Sequence, residues 1–194
     1  LQAALKKTLG NHVAQAGSYV DDEKMRFDFS HFAAMTAEEL AEVESTVNAM
    51  IFADAKIDCA EMSLDDAKKL GATALFSEKY GNVVRAVKMG DFSLELCGGT
   101  HAASTGKLGL FKITSESGVA AGVRRIEAVT GEGVIRLINE KQALIDRTAA
   151  VMKIKSANEI DTRAEALVAE NKELERQREQ LTDRLAAMRT KNMM

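Results

Sequence analysis

Cys97 and His101 are the pair whose types and spacing best suit chemistry. A thiolate and a neutral imidazole are ligands that zinc favours. Only Gly98, Gly99 and Thr100 lie between them, so one ion can meet both if the chain turns sharply. Two glycines permit that, because glycine enters φ > 0 at little cost. On spacing alone the pair is half a site: structural zinc takes four ligands, and catalytic zinc takes three plus a water. Turn residues without a metal are the other reading.

Further candidates flank this stretch. Gln15 and Ser18 stand close together in Gln15-Ala16-Gly17-Ser18. At a helix end, an amide and a hydroxyl can hydrogen-bond a small polar group or position a water, and they serve equally as caps. Thr100 and the backbone N–H groups of Gly98 and Gly99 can contact a substrate carbonyl. Arg124 and Arg125 are consecutive in an extended run, so they point to opposite faces. One suits a phosphate while the other pairs with an acid such as Glu127. Lys112, Lys107 and Lys88 can add to a phosphate-tracking surface; ordinary surface charge accounts for each of them as well. His12 and His31 read as structural histidines, and Cys59 as a small buried residue.

The elements that position these groups follow from periodicity. Residues 1–16 read as a helix with Leu1, Leu5, Leu9 and Val13 near one face, ended by Gly17. Ser18-Tyr19-Val20 begins an extended segment, Asp21-Asp22-Glu23 is a turn, and Met25 to Phe32 alternates as a strand. Thr36, with Glu39 three residues on, opens a helix by a capping box. It runs to about Ala53 with Leu40, Val43, Val47, Met50 and Ile51 as its buried stripe. Lys56–Met62 is a strand, and Ser63 caps a short helix closed by Gly71. Asn82–Met89 and Asp91–Leu96 pair about Gly90. Leu108–Ser115 and Val123–Val129 are strands flanking a loop at Ser117–Gly122. Strands and helices in this uneven order predict an α+β fold with an antiparallel or mixed sheet.

After Gly133 only helices are expected. From Ala157 a heptad places Ile160, Leu167, Leu174, Leu181 and Met188 at d, and Ala157, Ala164, Asn171, Arg178 and Leu185 at a. A strong d row beside a largely polar a row predicts a coiled-coil-like arm, two helices within or between chains, with self-association through 157–191. A long helix laid along one seam of its own chain is the alternative.

Of 194 residues, 46% are hydrophobic and 28% charged, with a formal net charge of −3. The chain can bury a core, and its global balance gives no nucleic-acid footprint, so any such role needs local basic patches. Cys59 and Cys97 make no disulfide framework. No apolar run nears the roughly 18 residues of a membrane span and no signal peptide is visible, which predicts no membrane partner and a cytoplasmic location. Leu1 is not Met and already reads as helix interior without a cap, as in part of a longer polypeptide.

Three ordered stretches resemble the editing domain of alanyl-tRNA synthetase, within the threonyl/alanyl second additional domain family. They are Arg26-Phe27-Asp28-Phe29-Ser30-His31, the Cys97–His101 run, and Thr105 to Gly131 with Ser115-Glu116-Ser117-Gly118 and Gly122-Val123-Arg124-Arg125-Ile126-Glu127-Ala128. The resemblance covers about residues 1–131, leaving 132–194 as a helical linker and arm. It implies an aminoacyl-tRNA deacylase within an alanine-tRNA ligase, whose full enzyme also binds ATP and serves protein biosynthesis. Its substrate is the acceptor end of tRNA(Ala) mischarged with serine or glycine. The resemblance further implies zinc held by Cys97 and His101 with a His-x-x-x-His pair on a helix. That pair is absent from the chain and would fall just upstream of Leu1, so the site is incomplete here. Catalytic roles then fall to Gln15 and Cys97, substrate contacts to Ser18, Gly98, Gly99 and Thr100, and tRNA contacts to Arg124, Arg125 and Lys112. A non-catalytic tRNA-docking or self-association fragment is the alternative.

Overall fold

The computed structural model describes residues 1–72 and 81–191. The end of the expected arm, 192–194, lies outside the described residues. The chain divides into two compact units, Leu1–Arg136 and Leu137–Met194.

The first unit is α+β. Helix α1 is Gln2–Leu9, followed by β1 (Gln15–Val20), β2 (Met25–Ser30), α2 (Ala37–Phe52), β3 (Ile57–Ser63) and α3 (Leu64–Lys69). Then come β4 (Val83–Met89), β5 (Ser93–Leu96), a 3-10 turn (Thr105–Leu108), β6 (Phe111–Ala120) and β7 (Val123–Thr130). One four-stranded sheet has the order β1-β2-β7-β6 and a three-stranded sheet the order β3-β4-β5. Every pairing is antiparallel.

The core lies where α1 and α2 meet the larger sheet. Ala4, Leu5, Phe27, Phe29, Val43, Ile51, Ile126 and Ala128 are buried together there, with Leu40 and Val47 partly buried against them. Alternation in β2 puts Phe27 and Phe29 inside. Thr36 and Glu39 form the expected capping box: Thr36 N–H donates to the Glu39 carboxylate at 2.8 Å, and Glu39 N–H to Thr36 Oγ1 at 3.2 Å. A smaller core joins α3 to the second sheet through Ala67, Val84, Ala86 and Leu96.

Several expectations are corrected. Helix α1 stops at Gly10, whose φ of 112° leaves the helical region. Val13 still reaches the core from the following turn, so the apolar spacing identified a buried residue but not its helix. Gln15 and Ser18 therefore sit on strand β1 rather than at a helix end, and His12 lies in the turn before it. Residues 117–120, expected as loop, extend β6, because β7 pairs with Ser117 and Gly118 and, past a register shift, with Ala120 opposite Val123. Cys59, expected to be buried, is exposed on β3, an edge strand.

Helix α4 (Glu132–Val151) starts in the first unit and ends in the second. Within the second unit α5 runs for 32 residues, Ile160–Lys191. Its heptad positions Leu167, Leu174, Leu181, Leu185 and Met188 are 37–64% exposed.

Candidate functional site

Strands β4 and β5 form a hairpin about Gly90, which takes a φ of 54°. Its register sets Ala86 opposite Leu96, and one step further the Cys97 N–H donates to the Arg85 carbonyl at 3.1 Å. The Cys97–His101 turn therefore begins where the hairpin ladder ends. Neither Gly98 nor Gly99 takes a positive φ, contrary to the expected role for them. The turn is held from outside instead. Arg85 Nη1 donates to the Cys97 carbonyl at 3.0 Å and to the Gly99 carbonyl, and lies 3.2 Å from His101 Nδ1.

The return path is anchored on the end of α2. Thr105, 5% exposed, donates its hydroxyl to the Met50 carbonyl at 2.7 Å and accepts from the Ala55 N–H at 2.9 Å. Asp54 accepts from the Gly106 N–H at 3.1 Å. A side chain at 106 would run into that carboxylate, which accounts for the glycine.

Cys97 and His101 both line a pocket of about 180 Å³. Leu1, Met50, Ile51, Val87 and Phe92 supply much of its apolar wall, and Glu95 and Thr105 its polar points. Cys97 is exposed and His101 half-buried. Burial pushes the imidazole below its ordinary pKa, and the Arg85 charge lowers it further, against a smaller raising effect from the Gly99 backbone. A neutral imidazole at physiological pH can act as a ligand or as a hydrogen-bonding base. Among the described residues no group of three or more His, Cys, Asp or Glu side chains is placed to hold a metal ion. Cys97 and His101 are donors of the kinds zinc favours, but two fall short of the three or four protein ligands a zinc site takes.

Gln15 and Ser18 are brought together: the Gln15 amide donates to Ser18 Oγ at 2.8 Å. They are not among the described residues lining the Cys97–His101 pocket. Gly98, Gly99 and Thr100 are exposed on the turn. The three basic candidates are each engaged. Arg124 grips Glu116 with Nε and Nη2, and Arg125 grips Asp28 at 2.7 and 2.8 Å. Lys112 pairs with Glu44 at 2.8 Å. Glu127, the acid expected beside the arginines, instead takes Lys24 at 3.1 Å and the Ser115 hydroxyl. His12 and His31 satisfy one another, Nε2 to Nδ1 at 2.9 Å with stacked rings, in keeping with structural histidines.

Sequence reasoning missed Arg85 and Thr105. The sequence did not place Arg85: counting symmetrically about Gly90 sets residue 85 opposite Glu95, and only the observed register, with Met89 opposite Ser93, brings it beside the Cys97 turn. For Thr105 no signal exists either, since its partners are backbone groups at the end of α2.

An α+β unit that closes a small pocket around a thiol and an imidazole matches one family model. Residues 84–127, which hold Arg85, Cys97 and His101, match the threonyl and alanyl tRNA synthetase second additional domain. Its similarity to alanine–tRNA ligases extends over nearly its whole length. It is 52% identical over 186 residues to that of Desulforamulus reducens, 96% of this chain and 21% of the relative. It is 51% identical over 187 residues to that of Shewanella loihica, covering 96% and 21%. With that of Geobacillus kaustophilus the identity is 50% over 193 residues, 100% of this chain and 22% of the relative. The chain thus spans about a fifth of the length of these curated relatives.

Proposed function

We propose that this chain is the proofreading portion of an alanine–tRNA ligase, hydrolysing the ester of tRNA(Ala) mischarged with serine or glycine. An active site built for alanine discriminates weakly against a smaller amino acid or one that adds only a hydroxyl, so a second, hydrolytic site is the general remedy. The observation that carries the reading is the shared pocket of Cys97 and His101. It is small, largely apolar and lined by Leu1 at the head of α1. In the proposed intact site, a His-x-x-x-His pair on the turn of helix ahead of Leu1 joins Cys97 and His101 around zinc, since residues i and i+4 share a helix face. When bound, such an ion supplies Lewis-acid polarisation or an activated water. The chain's own contribution is to hold the thiol and the imidazole at the pocket while Thr105 and Asp54 fix the segment behind them.

Gln15 and Ser18 are proposed to meet the aminoacyl group with the amide and hydroxyl they now share. Arg124, Arg125 and Lys112 contact tRNA phosphate in this reading only by exchanging or sharing their present carboxylate partners. The proposed location is the cytoplasm; among the described residues no helix is long and apolar enough to cross a membrane.

A second reading has its own observation. Leu167, Leu174, Leu181 and Met188 form an exposed row on α5, which suits self-association or docking by a coiled-coil-like arm. In it the present chain is a non-catalytic binding piece.

Zinc content separates the two. It is measured on this chain and on a version carrying about one helical heptad more ahead of Leu1, enough for a residue pair four apart. Stoichiometric zinc in the longer form only, abolished by Cys97→Ala, supports the hydrolytic site. Zinc in neither form removes the metal from the reading. Zinc in the short form means that other groups of this chain complete the set.

A further inference from the structure

Gln2 is a buried polar side chain that the fold leaves unpaired. It is 3% exposed at the head of α1, and neither its amide nitrogen nor its amide oxygen has a hydrogen-bond partner. Most buried polar groups are paired, and an unpaired amide inside a protein is costly. Gln2 lines a second pocket, of about 590 Å³, between α1 and the β3-β4-β5 sheet. Phe92, Ser93 and Glu95 line both this pocket and that of Cys97 and His101, so the two adjoin across a shared wall.

Most charges around the larger pocket are already engaged. Lys56 takes Asp58, Lys88 takes Asp91 at 3.1 Å, and the Ser93 hydroxyl donates to Glu95 at 2.9 Å. Lys6 is half-buried and has no ion-pair partner among the described residues. It follows Gln2 by four residues, so it lies on the same face of α1 and about 6 Å further along the axis.

These features describe a ligand. A glutamine amide presents a donor beside an acceptor. Adenine answers both at one edge, with its N6 amino group and N7, whereas guanine shows two acceptors there. An unpaired lysine suits a phosphate. In a charged tRNA the ester sits on the ribose of the terminal adenosine. Base and ester are thus one sugar ring apart, and a chamber for the base has to adjoin the chamber for the ester. We propose that the larger pocket holds the adenine nucleotide that carries the ester. Gln2 reads the base edge, Lys6 meets the 5′-phosphate, and the aminoacyl group crosses the wall into the pocket of Cys97 and His101. About 590 Å³ beside about 180 Å³ gives a nucleoside the larger space and an amino-acid group the smaller. Both amide atoms of Gln2 are closed to solvent, so the side chain turns to meet the base. The part this pocket plays in proofreading rests on the proposed hydrolytic site; its affinity for adenine does not.

The test is NMR of the full chain labelled with nitrogen-15 at glutamine. It is titrated with adenosine 5′-monophosphate and, in parallel, with guanosine 5′-monophosphate, adenosine and inorganic phosphate. The Gln2 amide is assigned by its loss in Gln2→Leu, and affinities come from the nucleotides' own base-proton signals. Adenosine 5′-monophosphate is expected to move the Gln2 signal. The Gln15 signal, from a residue not among those described as lining the pocket, stays in place and reports an intact fold in each variant. The guanine nucleotide is expected to bind at least about fivefold more weakly, the low end of what a two-bond base contact discriminates. Phosphate alone leaves Gln2 unmoved. In Gln2→Leu the two nucleotides bind alike, and Lys6→Gln weakens the monophosphate but not adenosine. An RNA hairpin with an unpaired 3′-terminal adenosine displaces the mononucleotide, and the same hairpin without that nucleotide does not. A Gln2 signal unmoved by the adenine nucleotide, equal binding of the two nucleotides, unchanged affinity in Gln2→Leu or failure of the hairpin to compete each overturns the proposal. Serine release is read separately: its absence with adenine binding intact removes the hydrolytic reading alone, and the reverse removes the nucleotide pocket alone.

Discussion

At the level of single residues, the site owes its form to charges that are tied down rather than free. Arg125 and Asp28 face each other across the β2–β7 ladder, and the two-pronged contact holds the Asp28 carboxyl below its ordinary value despite the opposing effect of burial. A carboxylate with a depressed folded pKa stabilises the fold above the usual carboxylate range and loses that contribution as pH falls through its folded value. Asp28→Asn is therefore expected to lower the urea midpoint at neutral pH, with the gap to the unaltered chain closing in acid. A constant gap across pH contradicts this. Cys97, His101, Gln15 and Ser18 stood out in the sequence as candidates because their chemistry is written in their side-chain types. Arg85 was not, because its role depends on a hairpin register and on carbonyls that no side-chain pattern encodes. Gly98 and Gly99 misled for a related reason: freedom to adopt φ > 0 is not a requirement to use it.

Among the elements, local rules held wherever a cap or an alternating face acted alone. The capping box at Thr36 is one such case, and Thr36→Ala is expected to cost about 1 kcal/mol, read from urea denaturation. Phe29 sits at 0% exposure between α1, α2 and the larger sheet. Phe29→Ala is expected to cost about 3–5 kcal/mol by the same measurement, the range for emptying an aromatic core site. A change under about 1 kcal/mol there would mean that the core is not organised on β2. Local rules failed where a neighbour overrode them. The i, i+4 row Leu1, Leu5, Leu9, Val13 promised helix through Val13, but Gly10 broke it and Val13 was buried from a turn. Residues 117–120 looked like a loop from their glycine and small residues, yet β7 lay alongside and drew them into the ladder.

Taken whole, the molecule is two units of different kinds: an α+β body with two cores, and a helical unit whose long helix leaves Leu174, Leu181 and Met188 more than half exposed. The heptad behind that row was plain in the sequence, but its partner was not, since a seam records what it wants covered and not by what. If the row self-associates, sedimentation of the full chain shows mass rising with concentration, and a version ending at Ser156 stays monomeric. Equal monomeric behaviour of both sets the intermolecular arm aside. The central claim concerns the body: that the pocket of Cys97 and His101 is a hydrolytic site for mischarged tRNA. The most direct measurement is release of serine from seryl-tRNA(Ala) by the chain extended upstream by the proposed His-x-x-x-His turn, beside its Cys97→Ala form, with alanyl-tRNA(Ala) as the control. The account predicts rapid release of serine, little loss of alanine, and a fall of at least about a hundredfold in Cys97→Ala, as befits loss of a ligand or catalytic donor. Serine release that is absent from the extended chain, or unchanged by Cys97→Ala, would contradict it.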